Sequence, residues 1–423
     1  MTTRLIVSLL AAAVALAAPA AGQTDEAKYK LKPGAKGKSC LNCHVQFQET
    51  MKQAFVHTPV KNGECSDCHS PHASSHGKLL AEDPDRICAT CHADMVPAGA
   101  KSSHPDAAKG QCTKCHDPHA SANKAQLVAG GSALCFQCHG DLGKAVAAAT
   151  HKHAPVGQSC LGCHDPHASK DAEHLLTKSA PALCVGCHKT DVPAFRTAHL
   201  NYPVAKSDCA SCHDPHGSGQ KGILWTSVHQ PVANRMCASC HFDAASPDAL
   251  KVKKQGLDGC RGCHSEMMNE TLALNRVHWP VLDERGCLNC HRPHASKAGK
   301  LLAAPEIKVC GSCHSEVARQ AVESVAKHAP VADGNCSACH SPHGSNTVLL
   351  FNAADSTAVC SSCHDWSKHS SHPIGPEVVD PRNKNARVDC LSCHDSHGSP
   401  YKYITWQDKK MDLCVGCHQD FRR

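Results

Sequence analysis

The sequence predicts a mostly irregular chain with short α-helices and little or no β-sheet, and three observations carry that expectation. Only 4% of the 423 residues are aromatic, too few large apolar side chains for an ordinary core. Strand signals are weak everywhere, and the stretches with helical character are short. The pattern C-x-x-C-H occurs sixteen times, uses all 32 cysteines, and leaves roughly 26 residues per copy.

The chain is built on the unit CLGCHDPHAS, Cys160 to Ser169. Near-copies begin at Cys65, Cys112, Cys209, Cys287, Cys336 and Cys390, while the other nine motifs lack the trailing Pro-His. Residues i, i+3 and i+4 share one face of a helical turn, so two thiols and an imidazole can meet one side of a macrocycle. C-x-x-C-H is the attachment signature of haem c, with two thioethers to the porphyrin and an imidazole on the iron. Disulfides need no histidine after each pair. Zinc held by four thiolates leaves the same histidines unexplained. A thioredoxin-like pair occurs once or twice on a βαβ scaffold, not sixteen times without one.

Sixteen covalently attached haem c groups are therefore expected. Their thioether positions are Cys40 and Cys43, Cys65 and Cys68, Cys88 and Cys91, Cys112 and Cys115, Cys135 and Cys138, Cys160 and Cys163, Cys184 and Cys187, and Cys209 and Cys212. The series continues with Cys237 and Cys240, Cys260 and Cys263, Cys287 and Cys290, Cys310 and Cys313, Cys336 and Cys339, Cys360 and Cys363, Cys390 and Cys393, and Cys414 and Cys417. The proximal imidazoles are His44, His69, His92, His116, His139, His164, His188, His213, His241, His264, His291, His314, His340, His364, His394 and His418. With so little apolar side chain available, the porphyrins become the buried mass and the fold is haem-packed.

Nineteen of the 35 histidines remain. His72, His119, His167, His216, His294, His343 and His397 follow a doublet-opening motif by three residues, too few to pass around a macrocycle. Each is expected to reach a neighbouring haem, aimed by the proline before it, which Ser396 replaces in the last copy. A second group lies upstream of doublets: His57, His104, His153 with His151 as its alternative, His199, His278, His328, and His372 with His369 as its alternative. His229, in VHQPV, repeats that theme. One further distal ligand would come from His76, His174 or the spare members of the two pairs. Bis-imidazole ligation throughout implies low-spin, low-potential haems.

Residues 1–22 read as a secretory signal, with Arg4, an apolar run from Leu5 to Ala18 and small residues around Ala21. Residues 23–39 read as a flexible lead-in, and no integral membrane span is expected in the mature chain. Doublets at Cys65, Cys112, Cys160 and Cys209 recur every 47–49 residues, a repeat architecture. The segment from Cys260 aligns with the one from Cys40, each a lone motif followed by His-x-Pro-Val and a doublet. This predicts a partial duplication with a seam near Ser246–Gly256, dividing a nine-haem half (40–246) from a seven-haem half (247–423). Glu316–Lys327, with Ser315 as N-cap, and Asp141–Thr150 read as helices. The approach to Cys390 through Pro373, Pro376 and Pro381 reads as a loop. Apolar pairs such as Leu79-Leu80 and Leu301-Leu302 read as packing on porphyrin faces.

The formal charge of +6 invites a nucleic-acid reading. Haem propionates reverse it, to roughly −10 when oxidised, so the lysines are propionate partners and solvated surface and no nucleic acid is expected.

The repeated C-x-x-C-H-x-P-H-x-S unit resembles the doubled C-x-x-C-H family of multihaem c-type cytochromes over residues 40–418. That resemblance implies a multihaem cytochrome c architecture and an exported, non-enzymatic electron carrier, periplasmic or beyond. Its redox protein partners would include, as one candidate, an outer-membrane porin. The competing expectations are a multihaem reductase with one open site and a subunit of a cytochrome filament.

Overall fold

In a computed structural model the chain is described over residues 35–366, 372–408 and 412–421. The expected signal sequence, most of the lead-in and His369 lie outside the described residues. The architecture is the expected one: short helices, many single 3₁₀ turns and a few two-stranded ladders. The longest helical run among the described residues, Gly256–Leu272, has 17 residues, carries a C-x-x-C-H motif and is kinked at His264. Helices Gly140–Ala148 and Ser315–Glu323 are the expected ones, each shorter at its C-terminus than the sequence suggested. Ser315 lies inside its helix rather than capping it, because His314 takes the N-cap position. The helix stops at Ser324, where the backbone turns extended so that Ala326 can pair with Ser399.

The recurring element is a clasp around each doublet-opening motif. In the copy at Cys65, the chain leaves His69, turns, and returns so that Ser70 N–H donates to Leu79 O (2.7 Å) and Ala81 N–H to Cys68 O (2.8 Å). Equivalent bridges join His116 to Leu127, His164 to Leu176, His213 to Leu224, His241 to Val252, His291 to Leu302, His340 to Phe351 and His394 to Thr405. The tight return forces left-handed backbone at Leu79, Leu175, Leu301 and Leu350, each with φ between 53° and 57°. The apolar pairs thus close the clasp.

Clasps of different repeats are joined by ladders two residues long. Phe55–Val56 pairs antiparallel with Ala120–Ser121, Ser227–Val228 with Ala295–Ser296, and Arg276–Val277 with Gly344–Ser345. One strand runs into a His-x-Pro-Val segment and the other is the tail of a Pro-His-Ala/Gly-Ser segment. That explains the small residues of the tail: Ala120, Ala295, Ser296 and Ser345 are all buried between the two chains. Where the tail carries glycine, the backbone can demand it. Gly217 has φ of 107°, and a Cβ there would stand 2.9 Å from His151 O, across the pairing of His151 with Ser218. Gly217→Ala is expected to cost about 1–3 kcal/mol in strain, lowering the thermal midpoint without changing haem content.

Ordinary core is scarce. The buried apolar residues are Ala120, Ala149, Ala168, Ala172, Ala249, Met268, Ala295, Ala321 and Val359, and among the described residues no large side chain is fully buried. The approach to Cys390 differs from expectation in containing a hairpin of Val379–Asp380 against Asn383–Arg387. Its turn is held by Asp380, which accepts from the backbone and guanidinium of Arg382.

By contact density the chain forms two units, one of residues 1–98 and 103–134 and one of residues 99–102 and 135–423.

Candidate functional site

Each clasp also orients the imidazole of its own motif. His69 Nδ1 lies 3.0 Å from Lys78 O, and the same ring nitrogen meets a carbonyl nine or ten residues on at His116, His164, His213, His241, His291, His340 and His394. A carbonyl can only accept, so Nδ1 carries the proton and Nε2 is left bare for a metal. Several accepting residues, among them Lys78, Ala125, His174, Gly222, Lys300 and Tyr403, are those forced into left-handed backbone. The loop strain and the ring orientation have one cause.

Across opening and second motifs alike, twelve motif imidazoles among the described residues face a second imidazole at nearly constant separation. Ring centres are 6.0 Å apart for His57 and His92, 6.1 Å for His69 and His119, 6.0 Å for His153 and His188, and 6.2 Å for His164 and His216. The distance is 6.2 Å for His199 and His213, 6.1 Å for His229 and His264, 5.8 Å for His241 and His294, and 6.1 Å for His278 and His314. It is 6.1 Å for His291 with His343, His328 with His364, His340 with His397 and His372 with His418. Direct ring stacking would be closer. Two metal–nitrogen bonds of about 2.0 Å, with about 1.1 Å from each nitrogen to its ring centre, require roughly 6.2 Å. The geometry fits one iron between each pair.

Ten of the twelve pairs follow two rules. A His-x-Pro-Val histidine faces the second motif of its own repeat, 35 or 36 residues on, as His57, His153, His229, His278 and His328 do. A Pro-His histidine faces the opening motif of the preceding repeat, as His119, His216, His294 and His343 do. His397, behind Ser396, obeys the second rule as well. The ladders make both rules possible at once. His57 Nδ1 donates to Pro118 O (3.1 Å), His153 to Pro215 O (2.8 Å), His229 to Pro293 O (2.9 Å) and His278 to Pro342 O (2.8 Å). The proline ahead of one histidine therefore also orients another. His328 finds Ser396 O (3.0 Å), so only the backbone of that position is needed.

Burial pushes His119, His294, His343 and His397 below the usual imidazole range, which favours the neutral ring. The aspartate of Asp-Pro-His turns fixes the turn, Asp214 accepting from His216 N–H at 3.0 Å. Its carboxylate also lies 3.5 Å from His216 Nδ1. Beside an imidazole that held an iron, such a carboxylate would favour the ferric state. Asp214→Asn, which keeps the turn acceptor, is expected to raise one haem's potential without changing its spin state, measurable by redox-poised NMR.

Within each unit, many consecutive motifs are spatial neighbours. First cysteines lie beside one another for Cys40 and Cys65, Cys88 and Cys112, Cys184 and Cys209, Cys260 and Cys287, Cys310 and Cys336, and Cys360 and Cys390. Second cysteines interact for Cys68 and Cys91, Cys212 and Cys237, Cys290 and Cys313, Cys339 and Cys363, and Cys393 and Cys417. None of the 32 cysteines is in a disulfide, and among the described residues no three side chains converge as zinc would need.

The doubled CXXCH motif family matches residues 57–97, 104–144, 153–193, 201–228, 229–269, 278–319, 328–369 and 383–423, most of the chain. The chain belongs to this family of multihaem c-type cytochromes. A multiheme cytochrome MtrA of Shewanella baltica (strain OS185) is 30% identical to it over 92 residues. That match spans 21% of this cytochrome and a quarter of the relative's length.

The matched segments and the clasps re-read the middle of the cytochrome. The doublet expected at Cys209 and Cys237, followed by a lone Cys260, becomes a shortened repeat holding Cys209 and a full repeat pairing Cys237 with Cys260. The clasp of His241 with Val252 marks Cys237 as an opening motif although Phe242-Asp243-Ala244 stands where Pro-His would be. His174 serves through its carbonyl on His164 and His151 through its backbone bridge to Ser218. The backbone of His76 donates to Ser74 Oγ. His104, His116, His139, His167 and His394 are each engaged by neighbouring groups. Neither His44 nor His72 faces a second imidazole among the described residues. Sequence reasoning missed the prolyl carbonyls and the aspartates, although both stand inside the repeated motif.

Proposed function

We propose that this cytochrome is an exported carrier of sixteen haems that passes electrons along a row of bis-histidine sites. The twelve facing imidazole pairs carry the reading. Bound haem supplies reversible one-electron exchange, and an iron with two protein ligands has no place for a substrate. The cysteine pairs of each motif hold the porphyrin and the motif histidine holds one axial position. His57, His119, His153, His199, His216, His229, His278, His294, His328, His343, His372 and His397 hold the other, while His104 and His167 occupy equivalent positions in their own repeats. The contacts between successive motifs within a unit keep those neighbours close enough for electrons to pass between them.

The donors would be periplasmic or at the inner membrane and the acceptors at the outer membrane or outside the cell, with a porin as one candidate partner. Residues 1–22 would direct export. Among the described residues no helix is long and apolar enough to cross a membrane. The test is the mass and spectrum of the purified protein. Sixteen haems by mass, low-spin spectra in both redox states and reoxidation without a bound substrate are expected. Methionine-type absorption at most haems, or carbon monoxide binding to many of them, would sink the reading.

A further inference from the structure

The ring planes of ten of the twelve pairs lie within 10° to 36° of each other. His199 and His213 are crossed at 67°, and His372 and His418 at 56°. We propose that Phe195 and Arg235 are positioning residues that cross the axial imidazoles of the haem on Cys209 and Cys212, making it an electronically distinct relay between two series of repeats. This rests on the bis-histidine reading above.

The repeat rules account for the exception. The shortened repeat at 201–228 has no second motif, so its upstream histidine, His199, lacks its usual target. The next repeat has no Pro-His, so the opening motif of the shortened repeat lacks its usual cap. His199 answers both gaps by facing His213, only 14 residues on. To do so it approaches from the end of the helix Pro193–Ala198 rather than along a ladder. Its Nδ1 donates to Phe195 O (2.9 Å) in the same helix, and the Phe195 ring lies 4.3 Å from the imidazole. Left-handed Leu200 and Asn201 end the helix, and Arg235 Nη2 donates to Thr197 O at 2.6 Å. The ring plane is fixed by the helix instead of by a prolyl carbonyl of a neighbouring repeat.

The same place interrupts the axial cross-links. His216 ties the repeat of Cys209 back to that of Cys160, and His294, His343 and His397 tie the repeats from Cys237 onward to one another. Between Cys209 and Cys237 the joint is made instead by Arg235 and by Tyr202, whose hydroxyl donates to Phe242 O (2.9 Å). Parallel imidazoles both donate into one iron d-orbital, whereas crossed imidazoles donate into two. Crossing brings those orbitals close in energy, which yields a low-spin ferric signal with one very large g-value and raises the potential relative to a parallel pair.

The test is electron paramagnetic resonance of the oxidised, haem-loaded full chain. Rhombic bis-histidine signals plus a large-g component are expected. His199→Ala should remove part of that component and add one high-spin haem, leaving the share of His372 and His418. Arg235→Gln should stay low-spin while intensity moves from the large-g to the rhombic set. If His199→Ala does not mature, Arg235→Gln and Phe195→Leu decide alone. A large-g component absent from the parent protein, or unchanged in these variants, overturns the proposal while leaving bis-histidine ligation standing. Methionine-type or predominantly high-spin spectra in the parent would instead overturn the functional reading itself.

Discussion

His343→Ala leaves the covalent haem content unchanged and turns one low-spin haem high-spin, and that haem is the one on Cys287 and Cys290. His343 belongs by sequence to the motif of Cys336 and Cys339, whose own histidine, His340, faces His397. Its ring instead stands 6.1 Å from His291, across the junction between repeats. Combining the variant with His397→Ala separates the possibilities. If each histidine serves a different haem, the double variant has two high-spin haems, readable by electron paramagnetic resonance and by exogenous imidazole binding. If both served the haem of Cys336, the count would stay at one and the cross-repeat rule would be wrong. The pairing of Arg276–Val277 with Gly344–Ser345 should persist, because it depends on backbone rather than on the ring. The loss is expected to appear chiefly as ligand vacancy, with a modest fall in the thermal midpoint.

The second large effect follows from the poverty of the core. Haem-free protein, made with the cysteines replaced by serine or without haem attachment, is expected to show no cooperative thermal transition by circular dichroism. The nine residues that form the buried apolar set are seven alanines, Met268 and Val359. An alanine side chain contributes little on burial, whereas ordering each residue costs about 1–2 kcal/mol of backbone entropy. Ladders of two residues and helices mostly under ten residues do not stand alone in water. A sharp transition in haem-free protein would show that the polypeptide carries its own stability.

The clasp and the pairing rules were unequally legible in the sequence. C-x-x-C-H spacing is chemistry written within five residues, so the proximal sites can be read directly. The Pro-His histidines could be directed away from their own motif because three residues cannot span a macrocycle, and five of them face an imidazole of another repeat. Which neighbour could not be read, because that depends on ladders between segments about 65 residues apart, such as Val56 with Ala120. Alternation cannot reveal a strand of two residues. The mid-chain repeat was misread for a related reason. Cys237 opens its repeat through a clasp that needs only a return of the backbone, and the Pro-His used to recognise openers is absent there. Arg382 and Asp380 likewise made a hairpin where three prolines suggested only a loop.

Because a Pro-His imidazole faces the repeat before it while a His-x-Pro-Val imidazole faces its own, the proposed ligation has a grammar that tolerates editing by whole units. Excision of one complete repeat brings the following Pro-His against the preceding opening motif, and no iron loses its second ligand. Excision of half a repeat strands a ligand and an iron together, and only a local substitute such as His199 can reconcile them. Lineages descended from such a chain should therefore differ in haem number mainly in steps of two. Odd steps should be accompanied by a histidine recruited from close by in the sequence.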